Sequence, residues 1–158
     1  MSTYKDLIAY KKSYEVAMKI FHLSKSFPQE EKYSLTDQIR RSSRSVCTNI
    51  AEAYKRRRYK DYFISKLNDS ETENSETEVW LSFSIDCNYL SQTQYEDLLA
   101  VNTEVGKLLW YMIQIQTNFY NLLYHYYMLL TIDSRLQTLT SLCLCSRTAK
   151  IIWNFNLL

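Results

Sequence analysis

The scarcity of turn-forming residues is the feature that most constrains the fold of this chain. Its 158 residues include one glycine, Gly106, and one proline, Pro28, whereas average usage would give roughly eleven and eight. Tight turns depend on these two residue types, and a sheet protein of this length would need many of them. The sequence therefore predicts an all-α protein in which long helices are joined by short connections.

The periodicity of apolar residues predicts where the first three helices lie. The first spans about residues 5–26 and ends before Pro28, because the residue preceding a proline avoids the helical region. The second begins at Ser34, which forms a capping signature with Asp37. The third runs from about residue 60 to residue 88. Each helix carries an apolar stripe at spacings of three and four residues, as expected for a helix packed in a bundle.

The core-facing residues of these helices follow from the same periodicity. The predicted stripes are Leu7, Tyr10, Tyr14, Ala17, Phe21 and Ser24 in helix one, broadened by Ile8, Ile20 and Leu23; Leu35, Ile39, Ser42, Val46, Asn49 or Ile50, and Ala53 in helix two; and Phe63, Leu67, Ser70, Asn74, Thr77 or Glu78, and Leu81 in helix three. The small residues on helix two would let a neighbouring helix approach closely.

The fourth helix has the most regular pattern in the chain. It starts at Ser91, and Gln94 completes a capping box three residues later. Its stripe is Tyr95, Leu98, Asn102, Val105, Leu109, Met112, Gln116, Phe119 and Leu123, and this spacing is typical of helical bundles. We therefore predict a four-helix bundle over residues 1–117. Residues 118–158 are predicted to extend helix four and to form a C-terminal tail without clear periodicity.

Positive charge is concentrated between residues 40 and 60. Eight of these 21 residues are Lys or Arg and Glu52 is the only acid, so the stretch carries +7 while the whole chain carries +2. The cations are Arg40, Arg41, Arg44, Lys55, Arg56, Arg57, Arg58 and Lys60; we call them the basic cluster. At 100° per residue, the side chains that point away from the apolar stripe are those of Arg40, Arg41, Arg44 and Lys55. A continuous helix would aim Arg57 at the core, which would be costly. Helix two is therefore predicted to end, bend or reach the rim of the bundle near residues 56–59.

Two interpretations of the basic cluster are open. Arginine binds phosphate through a planar, bidentate fork, and Tyr54, Tyr59 and Tyr62 could stack on unpaired bases. These features favour a nucleic-acid interface. Alternatively, the arginines pair with the acidic segment 71–78 of helix three, either within one chain or across a subunit interface.

Three polar residues are expected to have structural roles. Asn49 lies at the edge of the apolar stripe, where a buried amide must find hydrogen-bond partners. Glu52 is expected to pair with Arg56 one turn later, or with an arginine of another helix or subunit. Glu76 is expected to be a buried or interfacial polar anchor.

Nothing in the sequence indicates catalysis, a cofactor or a metal. His22 and His125 have no partner motif, and no nucleophile elbow, phosphate loop or metalloprotease motif occurs. Cys143 and Cys145 lack a second pair at zinc-site spacing, and Cys47 and Cys87 are expected to be buried apolar thiols. We therefore expect a non-enzymatic protein.

The hydropathy of the chain favours a cytoplasmic location. The N-terminal sequence MSTYKDLIAYKK is polar from the start and does not resemble an export signal. No stretch reaches the 18 or so apolar residues of a membrane span. We therefore expect free thiols and no membrane association.

Four segments resemble the family of four-helix-bundle proteins named for 23S ribosomal RNA intervening sequences. The segment QIRRSSRSVCTNIAEAYKRR matches the family pattern around NIAE, with Ala53 where glycine is usual. KDLIAYKKSYEVAMKI resembles the opening helix of the family, KDYFISKL the start of its third helix, and DCNYLSQTQYEDLL the turn into its fourth. The likeness covers about residues 4–116.

The resemblance implies an all-α, up-and-down four-helix bundle that forms a ring-like homopentamer and has no established enzymatic activity. Genes of the family can lie inside inserts in ribosomal RNA genes. A related bundle is the accessory protein of diversity-generating retroelements, which works with a reverse transcriptase and binds nucleic acid through a basic surface. We therefore expect a bacterial accessory protein that binds nucleic acid, with RNA favoured and a reverse transcriptase as a candidate partner. The alternative is a protein-binding oligomeric scaffold in which the basic cluster pairs subunits or a partner.

Overall fold

Four α-helices make up most of the described chain. The computed structural model describes residues 3–132, and for residues 119, 120 and 122–132 it describes the backbone alone. The helices are α1 (Ile8–Leu23), α2 (Leu35–Lys55), α3 (Lys60–Asp86) and α4 (Gln92–Ile132). Short 3-10 helices at Tyr4–Asp6, Ser24–Ser26 and Gln29–Tyr33 flank α1 and lead into α2. Within residues 3–132 there is no β-strand, so the all-α prediction is confirmed.

Two apolar clusters show how the helices alternate in direction. The first combines the chain start with the end of α2, the beginning of α3 and the middle of α4: Leu7, Ala9, Val46, Ile50, Ala53, Phe63, Leu67, Val105 and Leu109. The second combines the end of α1 with the beginning of α2, the end of α3 and the start of α4: Val16, Ile20, Leu35, Ile39, Leu81, Leu90 and Leu98. Since successive helices reach each cluster by opposite ends, the bundle is up-and-down, as expected.

The first 114 residues form one compact unit, and the remainder of α4 from Ile115 belongs to a second. The second unit is helical as far as Ile132. Predictions for the tail, including those on Cys143 and Cys145, fall outside the described residues. The same holds for the side chains of Phe119 and Leu123 in the predicted stripe of helix four.

A layer of buried polar residues separates the two apolar clusters. Asn74 Nδ2 donates to the carbonyl oxygen of Asn102 (3.2 Å), and Asn102 Nδ2 donates to the carbonyl oxygen of Asn74 (3.1 Å). The hydroxyl of Thr77 donates to that of Ser42 (2.9 Å), and the hydroxyl of Ser70 donates to the carbonyl of Val46 (3.0 Å). These bonds satisfy polar groups that would be costly to bury alone, and they fix α3 against both α2 and α4.

The single glycine lies inside α4 rather than in a turn. A Cβ atom at Gly106 would stand 3.3 Å from Asn74 Nδ2, so glycine leaves room for the amide that bonds to Asn102. The turn after α3 uses Asn88 instead, whose φ of 60° is left-handed; asparagine tolerates this conformation better than most residues. The backbone amides of Tyr89 and Leu90 then bond to the carbonyl of Ser84 (2.8 and 3.2 Å), as in other helix ends of this kind.

The caps of α2 and α4 form in different ways. The capping box of α4 is confirmed, because Gln94 N donates to Ser91 Oγ (3.3 Å) and Ser91 N donates to Gln94 Oε1 (2.9 Å). The capping role predicted for Ser34 is wrong, since its hydroxyl donates to the Glu31 carboxylate and caps no backbone amide. Glu31 accepts the Leu35 amide instead (3.2 Å). The carboxylate of Glu31, which lies in the 3-10 helix before α2, therefore caps this helix in place of the serine hydroxyl.

The predicted inward face of α1 is partly wrong. Its buried residues are Ala9, Ser13, Val16, Ala17 and Ile20, whereas Tyr14 and Ile8, both predicted to face the core, are 52% and 54% exposed. The small residues let α1 approach α2 closely, and the Cys47 thiol donates to Ser13 Oγ (3.4 Å). The rings of Tyr10 and Tyr14 stack instead, with their centroids 6.1 Å apart. Side-chain size, which apolar periodicity ignores, has therefore decided the face.

The two cysteines of the described region also differ from each other. Burial raises the pKa of the Cys47 thiol, which is enclosed as expected. Cys87 is exposed, so its predicted burial is wrong. It lies at the C-cap of α3, three residues after Ser84, the last buried residue of that helix.

The Asn74–Asn102 pair is expected to be a major source of stability. Asn74→Ala removes a buried donor and leaves a gap beside Gly106, so unfolding free energy should fall by about 1–3 kcal/mol. Urea denaturation measures the change. The matched control is Asn68→Ala, at an exposed position of α3, which should change stability by no more than about 0.5 kcal/mol. Equal stability of the two variants would contradict a structural role for the pair.

Glu31 is expected to make stability depend on acid pH. Hydrogen bonds from Ser34, then from the Leu35 amide and from Tyr89, lower the pKa of Glu31 below its ordinary value of 4.5. The charged carboxylate therefore stabilises the fold above pH 4.5, and this contribution is lost as pH falls through the lowered pKa. Glu31→Gln should be less stable than wild type at pH 7 and equal to it near pH 2. Thermal unfolding across this range measures the difference, and Glu30→Gln, which should match wild type at pH 7, is the control. A pH-independent difference would rule out the charge as its cause.

Candidate nucleic-acid interface

The basic cluster spans the outer face of α2 and the turn that follows it. α2 ends at Lys55, and the amide of Arg56 bonds back to the carbonyls of Glu52 and Ala53 (both 3.0 Å). The predicted end of the helix near residue 56 is therefore confirmed. Because the helix stops, Arg57 is exposed rather than aimed at the core, and its Nη1 donates to the Tyr54 carbonyl (2.8 Å).

Aromatic rings lie beside arginine side chains at this turn. The guanidinium carbon of Arg57 lies 4.2 Å from the ring centroid of Tyr54, and that of Arg56 lies 5.3 Å from the ring centroid of Tyr62. The rings of Tyr59 and Tyr62 meet edge to face, with centroids 6.4 Å apart. These two rings are 66% and 59% exposed. Exposed aromatic rings beside arginines suit the stacking of unpaired bases.

The arginines of the basic cluster have no acidic partner in the described part of the chain. The salt bridges there involve Lys12, Lys19 and Lys66, and no arginine. Pairing of the cluster arginines with the acidic segment 71–78 of their own chain is therefore absent from residues 3–132. Arg41, Arg44, Lys55 and Arg58 are all exposed, so this charge faces solvent.

Arg40 differs from the rest of the cluster. It is half-buried, and its Nε donates to Oγ of the buried Ser24 (2.7 Å). Its guanidinium carbon also lies 5.3 Å from the ring centroid of Phe21. The outward orientation predicted for Arg40 is thus only partly right, since the end of α1 covers one side of it.

Lys66 of α3 joins the polar residues of the NIAE segment. Its Nζ lies 3.0 Å from Glu52 Oε2 and 3.2 Å from Asp69 Oδ2, and it donates to Asn49 Oδ1 (3.4 Å). Asn49 Nδ2 also contacts Ser45 Oγ (3.5 Å). Asn49 is buried and hydrogen-bonded as predicted, while the predicted Glu52–Arg56 pair is wrong. The only acid of the stretch is therefore neutralised by α3 and leaves the arginines uncompensated.

The other predicted polar anchor, Glu76, is half-buried. Its Oε1 accepts the indole N–H of Trp80 (3.0 Å). Trp80 is also half-buried and packs against the second apolar cluster, so Glu76 orients an aromatic side chain at the edge of the core.

Two further features are absent from the described residues. Across residues 3–132, no three His, Cys, Asp or Glu side chains lie together as a metal site would require. Over the same range, no helix has both the length and the apolar character needed to cross a bilayer.

Sequence reasoning missed four residues near the cluster: Phe21, Ser24 and Lys25 at the end of α1, and Lys66 on α3. Periodicity assigned Phe21 and Ser24 to the core stripe and gave no reason to link them to arginines. The partners lie 16 or more residues apart along the chain in the Ser24–Arg40 and Lys66–Asn49 bonds. Such pairs depend on how the helices are placed against one another.

Comparisons with known proteins agree with the fold and with the resemblance seen in the sequence. A model of the 23S rRNA-intervening sequence protein family matches residues 5–111. The chain is also similar to the crystal structure of a protein of unknown function from the S23 ribosomal protein family of Bacteroides thetaiotaomicron VPI-5482. The two are 38% identical with a TM-score of 0.63, over 70% of this chain and 98% of the other. None of the curated proteins compared with the chain matches it.

Lys66 is expected to add modestly to stability, in a manner that depends on alkaline pH. Its hydrogen bonds to Glu52 and then to Asp69 raise its pKa above the ordinary 10.5, so its contribution is present below pH 10.5 and is lost as pH rises through the raised pKa. Lys66→Met should lower the unfolding free energy at pH 7 by less than about 1 kcal/mol, because solvent screens the two carboxylates, which are about half exposed. Urea titrations at pH 7 and pH 11 measure it, with exposed Lys107→Met as the control. If Lys66→Met lost as much stability between pH 7 and pH 11 as wild type does, the result would contradict this role.

Proposed function

The chain belongs to the 23S rRNA-intervening sequence protein family, and we propose that it is a non-catalytic, oligomeric accessory protein that binds nucleic acid, preferably RNA. Its partner would be an RNA element or a reverse transcriptase. The binding surface would be the turn after α2 together with the outer face of that helix.

The observation that carries this proposal is the composition of the turn. Four consecutive residues, Lys55 to Arg58, are cationic, and the arginines among them have no acidic partner within the described residues. Phosphate contacts made by such cations release counterions and supply most of the affinity of non-specific binding. The exposed rings of Tyr59 and Tyr62 add surfaces on which bases of any sequence can stack.

Self-assembly would strengthen this surface. In a homopentamer, five copies of the stretch 40–60, each carrying +7, would place roughly +35 on one annulus, and several weak contacts with one strand would act together. An accessory protein of this kind would hold an RNA or cDNA strand while a partner enzyme acts on it.

A second candidate function is that of a protein-binding scaffold, and a specific observation favours it. Several large apolar side chains are more than half exposed: Val79 and Phe83 on α3, and Trp110 and Tyr111 on α4. Apolar surface of this kind is common where proteins associate. In that case the basic cluster would pair subunits or a protein partner.

The two functions differ in how binding should respond to salt and to loss of the arginines. We expect fluorescence anisotropy with a 20-nucleotide single-stranded RNA to show binding that weakens as salt rises from 50 to 200 mM. Arg56→Gln, Arg57→Gln and Arg58→Gln in one protein should weaken binding more than tenfold and reduce the slope of log K against log salt by about 2. The matched control changes Lys5, Lys11 and Lys107 to Gln, which removes the same charge from exposed positions outside the cluster.

Sedimentation of each variant shows whether its assembly survives. Retained assembly with lost RNA binding in the arginine variant supports the proposal. An equal loss in the lysine control would mean that net charge alone is responsible. Wild-type protein that shows no salt-dependent binding, or an arginine variant that dissociates into monomers, would favour the scaffold.

A further inference from the structure

We propose that Lys25, Arg40 and Arg44, gathered around Phe21, form a second phosphate site that holds the same nucleic-acid strand about 16 Å from the turn. This inference rests on the proposed function and specifies two places at which one strand would be bound. The interface would be bipartite, with an aromatic and cationic part at the turn and an anchoring site for phosphate at the end of α1.

Three cations converge on one aromatic ring. Lys25 Nζ lies 4.8 Å from the ring centroid of Phe21, and the guanidinium carbons of Arg40 and Arg44 lie 5.3 and 5.7 Å from it. The ring attracts each cation, but the cations repel one another. A bound anion would remove that repulsion, and none of the three has an acidic partner within residues 3–132.

Arg40 is oriented before any ligand arrives. Its Nε donates to Oγ of Ser24 (2.7 Å), and Ser24 is only 3% exposed. The serine in turn donates to the carbonyl of Phe21 (3.3 Å). Because this bond uses only Nε, the N–H groups on the two terminal nitrogens of Arg40 remain available as donors. These N–H groups can bind the oxygens of a phosphate. A fixed guanidinium loses less conformational entropy on binding than a free one.

The site also has an alternative, purely structural use. Cations near the C-terminus of a helix interact favourably with its dipole, and α1 ends at Leu23. However, hydroxyl groups already donate to carbonyls there, from Ser24 to Phe21 (3.3 Å) and from Ser26 to Leu23 (2.7 Å). Arg44 reaches the ring from α2, and within residues 3–132 it makes no hydrogen bond to the end of α1. The end of the helix therefore does not account for all three cations.

The spacing of the two sites sets the length of the ligand. Arg44 and Lys55 are eleven residues apart on one helix, which is about 16 Å along its axis and nearly the same angular position. At the roughly 3.4 Å between successive phosphates of a stacked strand, that distance is about five intervals, which join about six phosphates. A strand of four nucleotides could reach one site only, whereas eight nucleotides could occupy both.

A length series of oligouridylate RNA tests this geometry. We expect wild-type affinity at 50 mM salt to rise more than tenfold between four and eight nucleotides. In a variant with Lys25→Gln and Arg44→Gln, that rise should disappear, and the salt slope for eight nucleotides should fall by about 1.4. Arg40 is left unchanged because its bond to Ser24 contributes to the fold. The matched control changes Lys5 and Lys11 to Gln.

The outcomes separate this inference from the proposed function. If wild type binds RNA and the Lys25/Arg44 variant keeps the wild-type length dependence, the second site is overturned while the proposed function stands. If wild type binds no RNA of any length, the proposed function falls. A titration with inorganic pyrophosphate then decides whether the site binds anions at all. The NMR signal of the Arg40 Nε–H group is the readout of this titration. A shift that the Lys25/Arg44 variant lacks supports an anion site, and an unchanged signal overturns it.

Discussion

The reciprocal hydrogen bonds between Asn74 and Asn102 are the interaction on which the arrangement of the bundle most depends. Each amide donates to the other residue's backbone carbonyl, so α3 and α4 can satisfy both groups in one register only. Apolar clusters lie on either side of this layer, and apolar contacts alone would tolerate a shift of one helical turn. The layer therefore supplies the specificity that nondirectional burial lacks, and Gly106 leaves the space for it.

The same packing explains how one helix serves both core and surface. Small residues on the inner side of α2, such as Ser42 and Ala53, let α3 approach closely, and polar bonds join the two helices. Lys66 then crosses from α3 to neutralise Glu52. Glu52, the acid of the stretch 40–60, is thus paired with a lysine and not with an arginine. The outer side of α2 keeps its charge, and the end of the helix at Lys55 turns the remaining cations outward with Tyr59 and Tyr62.

Much of the fold follows from the sequence, and the failures share a cause. Periodicity predicted the buried positions of α2, α3 and the described part of α4, including Asn74 and Asn102, because those stripes are regular. It failed in part for α1, where Ala17 and Ile20 are buried as predicted but Ala9 and Ser13 face the core in place of Tyr14, since hydropathy does not encode how close two helices lie. It also gave Glu52 the wrong partner. Spacing along one helix predicts neighbours at i+4, whereas Lys66 belongs to another helix.

The sequence by itself determined that the chain is helical, where α2 ends and α4 begins, and that positive charge is concentrated between residues 40 and 60. These are local properties, fixed by turn residues, spacing and composition over a few helical turns. Only the tertiary structure decided which cations face solvent, which rings lie beside them, and that Arg40 is held by Ser24 next to Phe21. Those facts depend on the distance and rotation between helices, which many side chains set together and no single segment encodes.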